Sequence, residues 1–157
     1  MKIQPTIVWF HRDLRLNDHP ALSAAAAEGP VIPVFIWSPE EEGRWPPGSA
    51  SRWWLHQALA SLNADLMRLG SRLVLRRGPT LDALKSLAIA SEAAAVYWNR
   101  RYEPEIIKRD EAVNKHLTSC GLATRDFNGS LLYEPWTVST KNDRPFQVFT
   151  PFWKTCL

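Results

Sequence analysis

Cysteine is nearly absent from this chain. Cys120 and Cys156 stand far apart, in no metal-ligand spacing and with no secretory context. A disulfide scaffold and a cysteine-bound metal cluster are therefore disfavoured, and a reduced, cytoplasmic protein is expected. No apolar run reaches the ~18 residues that a membrane span needs. The opening residues Met1-Lys2-Ile3-Gln4-Pro5 lack the apolar stretch of a secretory leader. Excess charge is also small. A net +3 is too weak to argue nucleic-acid binding by itself, because strongly basic stripes do that. The usual ligand grips are missing too. No G-x-G-x-x-G follows the first apolar run, and there is no P-loop, no His-x-x-Glu or Glu-x-x-His pair and no nucleophile elbow.

What is present is a chain of 157 residues, 45% apolar and 22% charged, which suits one soluble domain with a real core. Eight tryptophans and twelve prolines are the unusual counts. So many indoles build either a heavy aromatic core or stacking surfaces for a planar ligand.

Short β-rich runs alternate with helical patterns. Thr6 to Phe10 and the near-continuous apolar run Val31 to Trp37 read as strands, the second buried on both faces. Further strands are expected within Arg72 to Arg76, over Ala94 to Trp98 and over Leu122 to Phe127. Helices are expected from Asp18 to Ala27, with Asp18 as N-cap and Pro20 in the first turn. The next runs from Ala50 to Leu69, where Leu55, Leu59, Leu62, Leu66 and Leu69 recur at three- and four-residue spacing and Gly70 stops it. Two more open at Pro79 and at Glu103-Pro104. Pro39 to Ser49 reads as a polar loop. These alternations imply an α/β, Rossmann-like five-stranded parallel sheet with helices on both faces. Residues 1–130 form that domain. Residues 131–157, rich in aromatics and poor in periodicity, read as an exit segment toward a linker.

The densest chemistry follows the first strand: His11, Arg12, Asp13, Arg15, Asp18 and His19. Ligands of open α/β sheets bind beyond the carboxyl ends of the strands, near the point where strand order reverses. Residues 11 to 18 should lie there. The bland reading is a surface loop held by ion pairs of Arg12 or Arg15 with Asp13 or Asp18, worth roughly 0–1 kcal/mol each if exposed.

The run Trp9-Phe10-x-Arg12-Asp13-Leu14-Arg15-x-x-Asp18-x-Pro20-Ala21-Leu22 resembles the opening of the DNA photolyase and cryptochrome family. The segments Trp37 to Gly43, Pro47-Gly48 and Ser51 to Leu55 look like those of plant-type cryptochromes and related bacterial photolyases. Tyr102-Glu103-Pro104 with Arg109-Asp110, Leu131 to Trp136 and Phe152-Trp153-Lys154 extend the likeness along essentially the whole chain. His11, where arginine is common, and His19, where asparagine is common, depart from the pattern within the loop after the first strand.

The resemblance implies the N-terminal, antenna-bearing α/β domain of such a protein. The antenna would be 5,10-methenyltetrahydrofolate or a deazaflavin. A larger helical domain outside these residues would hold FAD and take the damaged DNA, so this chain alone is expected to be inactive in repair. No membrane partner is implied. The aromatic exit segment suggests self-association of the isolated domain. A cryptochrome photoreceptor domain, a stand-alone nucleotide-binding protein and an interaction domain without antenna are the alternatives.

A planar chromophore needs an aromatic slot, an acceptor for ring N–H groups and a cation for an acidic tail. The candidates at the carboxyl edge are Arg12, Trp37, Glu41, Glu42, Ser51, Trp54, Asn99, Arg101, Tyr102 and Glu103. Glu42 or Glu103 is expected to accept from the ring, and Trp37 or Trp54 to line the slot. Glu40-Glu41-Glu42 could equally be a solvated acidic run. Of the neighbours Trp53 and Trp54, one should be core and the other should face a ligand or another domain.

Overall fold

A computed structural model describes residues 3–44 and 46–157; Met1, Lys2 and Trp45 lie outside them. Five strands form the sheet: β1 (Thr6–Phe10), β2 (Val31–Trp37), β3 (Val74–Arg77), β4 (Ala95–Asn99) and β5 (Ala123–Phe127). Their order is β3-β2-β1-β4-β5 and every pairing is parallel. The chain steps outward from β1 to β2 and β3, then returns to place β4 on the other side of β1. Strand order thus reverses between β1 and β4, and that boundary is where a crevice opens in such sheets.

Five helices accompany the strands: α1 (Pro20–Glu28), α2 (Ser49–Arg68), α3 (Thr80–Ser91), α4 (Pro104–Ser119) and α5 (Phe149–Cys156). One face of the sheet presents Ile7, Trp9, Val34, Ile36, Val96 and Trp98 to Leu84 and Leu87 of α3 and to Val113 and Leu117 of α4. The other presents Val8, Phe10, Phe35, Ala95 and Tyr97 to Ala21 and Ala25 of α1 and to Leu62 and Leu66 of α2. Covering both faces explains why β1 and β4 are buried throughout. The alanines of α1 let that helix lie close over the centre of the sheet.

Three sequence expectations change. His19, not Asp18, caps α1: its Nδ1 accepts from the Leu22 N–H at 3.1 Å, while Asp18 takes a left-handed φ of 51°. Only Leu62 and Leu66 of α2 are fully buried, and Trp53 and Trp54 are both exposed, at 62% and 69%. Neither indole is core, because the first half of α2 stands away from the sheet over a cavity. The third change is α5, formed in a tail that shows little periodicity by sequence. Its Phe149 and Trp153 rings stack at 6.2 Å one helical turn apart, and Phe152 meets Phe146. The loop expected from Pro39 also holds one 3-10 turn, Pro39–Glu41. Among the described residues, no helix is long and apolar enough to cross a membrane.

The burial pattern sets a contrast in stability. Leu84 is fully buried and Trp53 largely exposed. Leu84→Ala is expected to cost about 2–5 kcal/mol in urea unfolding, and Trp53→Ala less than about 0.5 kcal/mol.

Candidate functional site

The loop after β1 is organised by Asp13. Its Oδ1 accepts from the His11 backbone N–H at 2.9 Å, and its Oδ2 accepts from Asn99 Nδ2 at 2.7 Å and lies 2.9 Å from His19 Nε2. His19 Nδ1 is already an acceptor for the helix cap, which leaves the ring proton on Nε2, the nitrogen that lies beside this carboxylate. Burial alone would raise the Asp13 pKa. The hydrogen bond from His19 and the neighbouring charge reverse that and hold the carboxyl well below the usual range. Asn99 completes the knot. Its Oδ1 accepts from the Ala21 N–H at 3.2 Å and its carbonyl accepts from His11 Nδ1 at 3.1 Å. Arg15 donates to the Asp18 and Gly129 carbonyls at 2.9 and 2.7 Å, tying the loop to the chain beyond β5.

Arg12 does not pair with Asp13 or Asp18. It reaches across the edge of the sheet to Glu42 at 2.8 Å and Glu103 at 3.3 Å. Arg101 grips Glu42 in a bidentate pair, at 2.7 and 2.9 Å, and also bonds Glu103 at 2.8 Å. The Arg101 side chain is only 9% exposed. Burial works against its charge, but the bonds to Glu42 and Glu103 outweigh that and push its pKa up. Glu103 is held down at about 2: partial burial opposes ionisation, and the Arg101 hydrogen bond overcomes it. The bonds to Arg101 likewise lower Glu42. Gly43 lets this loop turn beside α4, since it sits at φ +73° and an added Cβ would come within 2.9 Å of Glu105 Cγ.

Between these loops, the end of the sheet and the first half of α2 lies a cavity of about 1160 Å³. Arg12, Trp37, Glu42, Ser51, Trp54 and Arg101 all line it. The other four sequence candidates lie elsewhere. Glu41 accepts from the Thr80 N–H at 3.0 Å and from the Thr80 hydroxyl, so it serves the N-terminus of α3. Asn99 belongs to the Asp13 knot. Glu103 binds the two arginines without lining the cavity. Tyr102 turns to a separate cavity of about 190 Å³ and donates to Glu134 at 2.9 Å, where Arg100 also binds.

The cavity also has lining residues that were not among the candidates, His11 and Arg109 above all. The Arg109 guanidinium lies 4.8 Å from the centroid of the Trp9 ring and pairs with Asp110 at 2.7 Å. Its sequence signal was helical spacing: Arg109 falls between the buried positions Ile106 and Val113 of α4. Burial pushes Asp110 up to about 6 despite that arginine. No group of three or more His, Cys, Asp and Glu among the described residues is placed to hold a metal ion.

Fold and site together define a doubly wound α/β domain with a ligand-sized cleft over the carboxyl ends of β1 and β2. The family model for DNA photolyase matches residues 6–157. Cryptochrome-2 of Arabidopsis thaliana is 48% identical over 97% of this chain, which covers 25% of that protein. The deoxyribodipyrimidine photo-lyase of Agrobacterium fabrum is 45% identical over 98% of this chain, covering 32% of that protein. The crystal structure of a bacterial class III photolyase from Agrobacterium tumefaciens superposes with a TM-score of 0.91 at 44% identity, covering 99% of this chain and 32% of that one. The chain belongs to the DNA photolyase family, and it spans about a quarter to a third of the length of these relatives.

His11 makes the domain sensitive to acid. Burial, then the Arg109 charge, lowers its pKa from 6.5 to about 3. Between those values the unfolded chain binds a proton that the folded ring refuses, so this contribution is complete above pH 6.5 and is lost as pH falls toward 3. Asp110 acts with the opposite sign but is common to wild type and variant. Unfolding free energies of wild type minus His11→Asn should therefore rise with pH from about pH 4 to 6.5, by up to about 1.4 kcal/mol per unit. A flat difference would contradict the assignment.

Proposed function

We propose that this chain is the antenna-binding domain of a light-driven DNA photolyase. The observation that carries the reading is the cavity at the carboxyl edge, in a chain of this family. Its walls combine aromatic surface from Trp37 and Trp54, cations from Arg12 and Arg101, and an acceptor in Glu42. That set fits a planar heterocycle with an acidic tail, such as 5,10-methenyltetrahydrofolate, and also fits a deazaflavin. When bound, such a group supplies absorption of near-UV or blue light. The chain's own part is to hold it flat, neutralise its tail and keep it at a fixed place relative to the rest of the protein. Of the sequence candidates that do not line the cavity, Glu41, Asn99 and Glu103 act by fixing the loops that do, and Tyr102 by holding the exit segment.

In the whole protein, the excitation would pass to FAD on a helical domain outside these residues, and electron transfer from that flavin would split cyclobutane pyrimidine dimers in DNA. Residues 1–130 form the antenna unit, and 131–157 lead out of it. Glu134, bound by Arg100 and Tyr102, fastens that segment to the sheet. Leu132, Trp136 and Phe149 are left 96%, 65% and 71% exposed, which supports a contact surface for another domain and self-association without one. The identity to Cryptochrome-2 favours a second reading, in which the same domain serves a blue-light receptor.

Titration of the purified chain with the reduced folate and, separately, with 8-hydroxy-5-deazaflavin tests the reading, followed by absorbance and fluorescence. Saturable 1:1 binding of one of them is expected, weakened about tenfold or more in Trp54→Ala. A folded chain that binds neither would overturn the antenna assignment.

A further inference from the structure

Ser38 follows strand β2 with the sequence of a helix start that its side chain does not serve. Ser38-Pro39-Glu40-Glu41 is the pattern of a capping box. In that motif the serine hydroxyl accepts from the N–H three residues along, and the glutamate reaches back to the serine N–H. Here neither happens. The Glu41 N–H donates to the Ser38 carbonyl at 3.1 Å, and the Glu41 carboxylate goes to Thr80. The Ser38 hydroxyl makes no cap bond, and no other hydrogen bond among the described residues.

That idle hydroxyl is nonetheless enclosed. Ser38 is 7% exposed and lines the cavity. The unpaired side-chain atoms that have lost their accessible surface belong to His11, His19 and Arg109, and the Ser38 oxygen is not one of them. It is unpaired, on a residue more than nine-tenths buried, and still accessible. Its backbone is fixed, because the carbonyl holds the 3-10 turn and Pro39 restricts the residue before it. Polar side chains so enclosed are nearly always paired, and leaving one unpaired is costly.

The charged groups of the wall are spent on one another. Both Glu42 oxygens accept from Arg101, at 2.7 and 2.9 Å, and one also accepts from Arg12 at 2.8 Å. Both Asp13 oxygens belong to the inner knot. Arg15 donates to the Asp18 and Gly129 carbonyls. A ligand edge that used any of these would share it with an existing partner. Ser38 requires no such exchange. A ligand that displaces solvent from this hydroxyl keeps its affinity only by replacing that bond.

We infer that Ser38 is a specificity-determining residue of the cavity: its hydroxyl hydrogen-bonds a polar atom of the ligand's ring, a ring nitrogen or a carbonyl, at the end of β2. This rests on the antenna reading and adds to it which wall reads the ring. Trp37 and Ser38 are consecutive and both line the cavity, so one short stretch supplies aromatic surface and a neutral hydrogen bond. A ring that turns an apolar edge to this wall leaves the hydroxyl unpaired and binds less well.

The test is fluorescence titration of the full chain with 5,10-methenyltetrahydrofolate and, separately, with 8-hydroxy-5-deazaflavin. Ser38→Thr and Ser38→Val share a shape and differ in the hydroxyl. The threonine variant is expected to bind the ring at least about threefold tighter than the valine variant, and Ser38→Ala about three- to tenfold more weakly than wild type. The ligand that shows the loss names the source of the ring. Ser38→Ala removes no hydrogen bond within the described residues, so its urea midpoint without ligand should not fall. A lower midpoint would reveal a structural partner and overturn the assignment. Equal binding by the threonine and valine variants overturns it too. Where the added methyl blocks both, equal binding by wild type and Ser38→Ala does so. If wild type binds neither ring, the antenna reading fails together with this one. Binding that ignores the hydroxyl fails this one alone.

Discussion

Asp13 joins three parts of the fold: the end of β1, the start of α1 and, remote in sequence, the end of β4. Its carboxylate is the acceptor that holds the His11 backbone, the Asn99 amide and the His19 ring in place at once. Asn99, so held, caps the approach of α1 through the Ala21 N–H and fixes the His11 ring through its carbonyl. An added Cβ at Gly129 would come within 2.6 Å of the Asn99 side chain, so the chain after β5 is shaped around the same point. The strand-order reversal between β1 and β4 opens a gap at the carboxyl edge, and this knot closes one side of it. The cavity lies beside the knot, over the carboxyl ends of β1 and β2.

A second cluster sets the outer rim. Glu42 and Glu103 receive Arg12 and Arg101, and the four side chains span the loops after β1, β2 and β4. Arg12 is 63% exposed, so its own pairs contribute little to stability. Arg101 is different. Nearly buried and bidentate, it fixes the orientation of Glu42 and hence the wall that Glu42 presents to the cavity. Arginine suits this place because its planar fork matches a carboxylate in a way a lysine ammonium does not. The charges beyond β1 therefore divide into two groups with different work: an inner carboxylate that builds the loop, and an outer network that shapes the mouth.

Much of the architecture could be read directly. β1 and β2 begin and end where their apolar runs do, and the proline-led starts of α1 and α4 fall at or beside the expected residues. Errors came where a local signal had two owners. Asp18 and His19 could each cap α1, and the nearby Asp13 carboxylate, which needs the His19 proton, decided between them. Trp53 and Trp54 carry a strong apolar signal, yet α2 diverges from the sheet at that end. Arg109 and His11 went unnoticed as lining residues because one looks like a helix-surface charge and the other like a substitution in a charged loop.

The sequence alone determined the five strands, helices α1 to α4, the parallel layering and the family, because periodicity, turn residues and ordered motifs are properties of neighbours along the chain. The tertiary structure decided the sheet order and the partners of the charges, and with them which of the candidates face one cavity. A guanidinium can satisfy any carboxylate within its reach, and reach depends on which loops converge. That convergence was set by packing of the two cores on either side of the sheet, far from the residues whose pairing it chose.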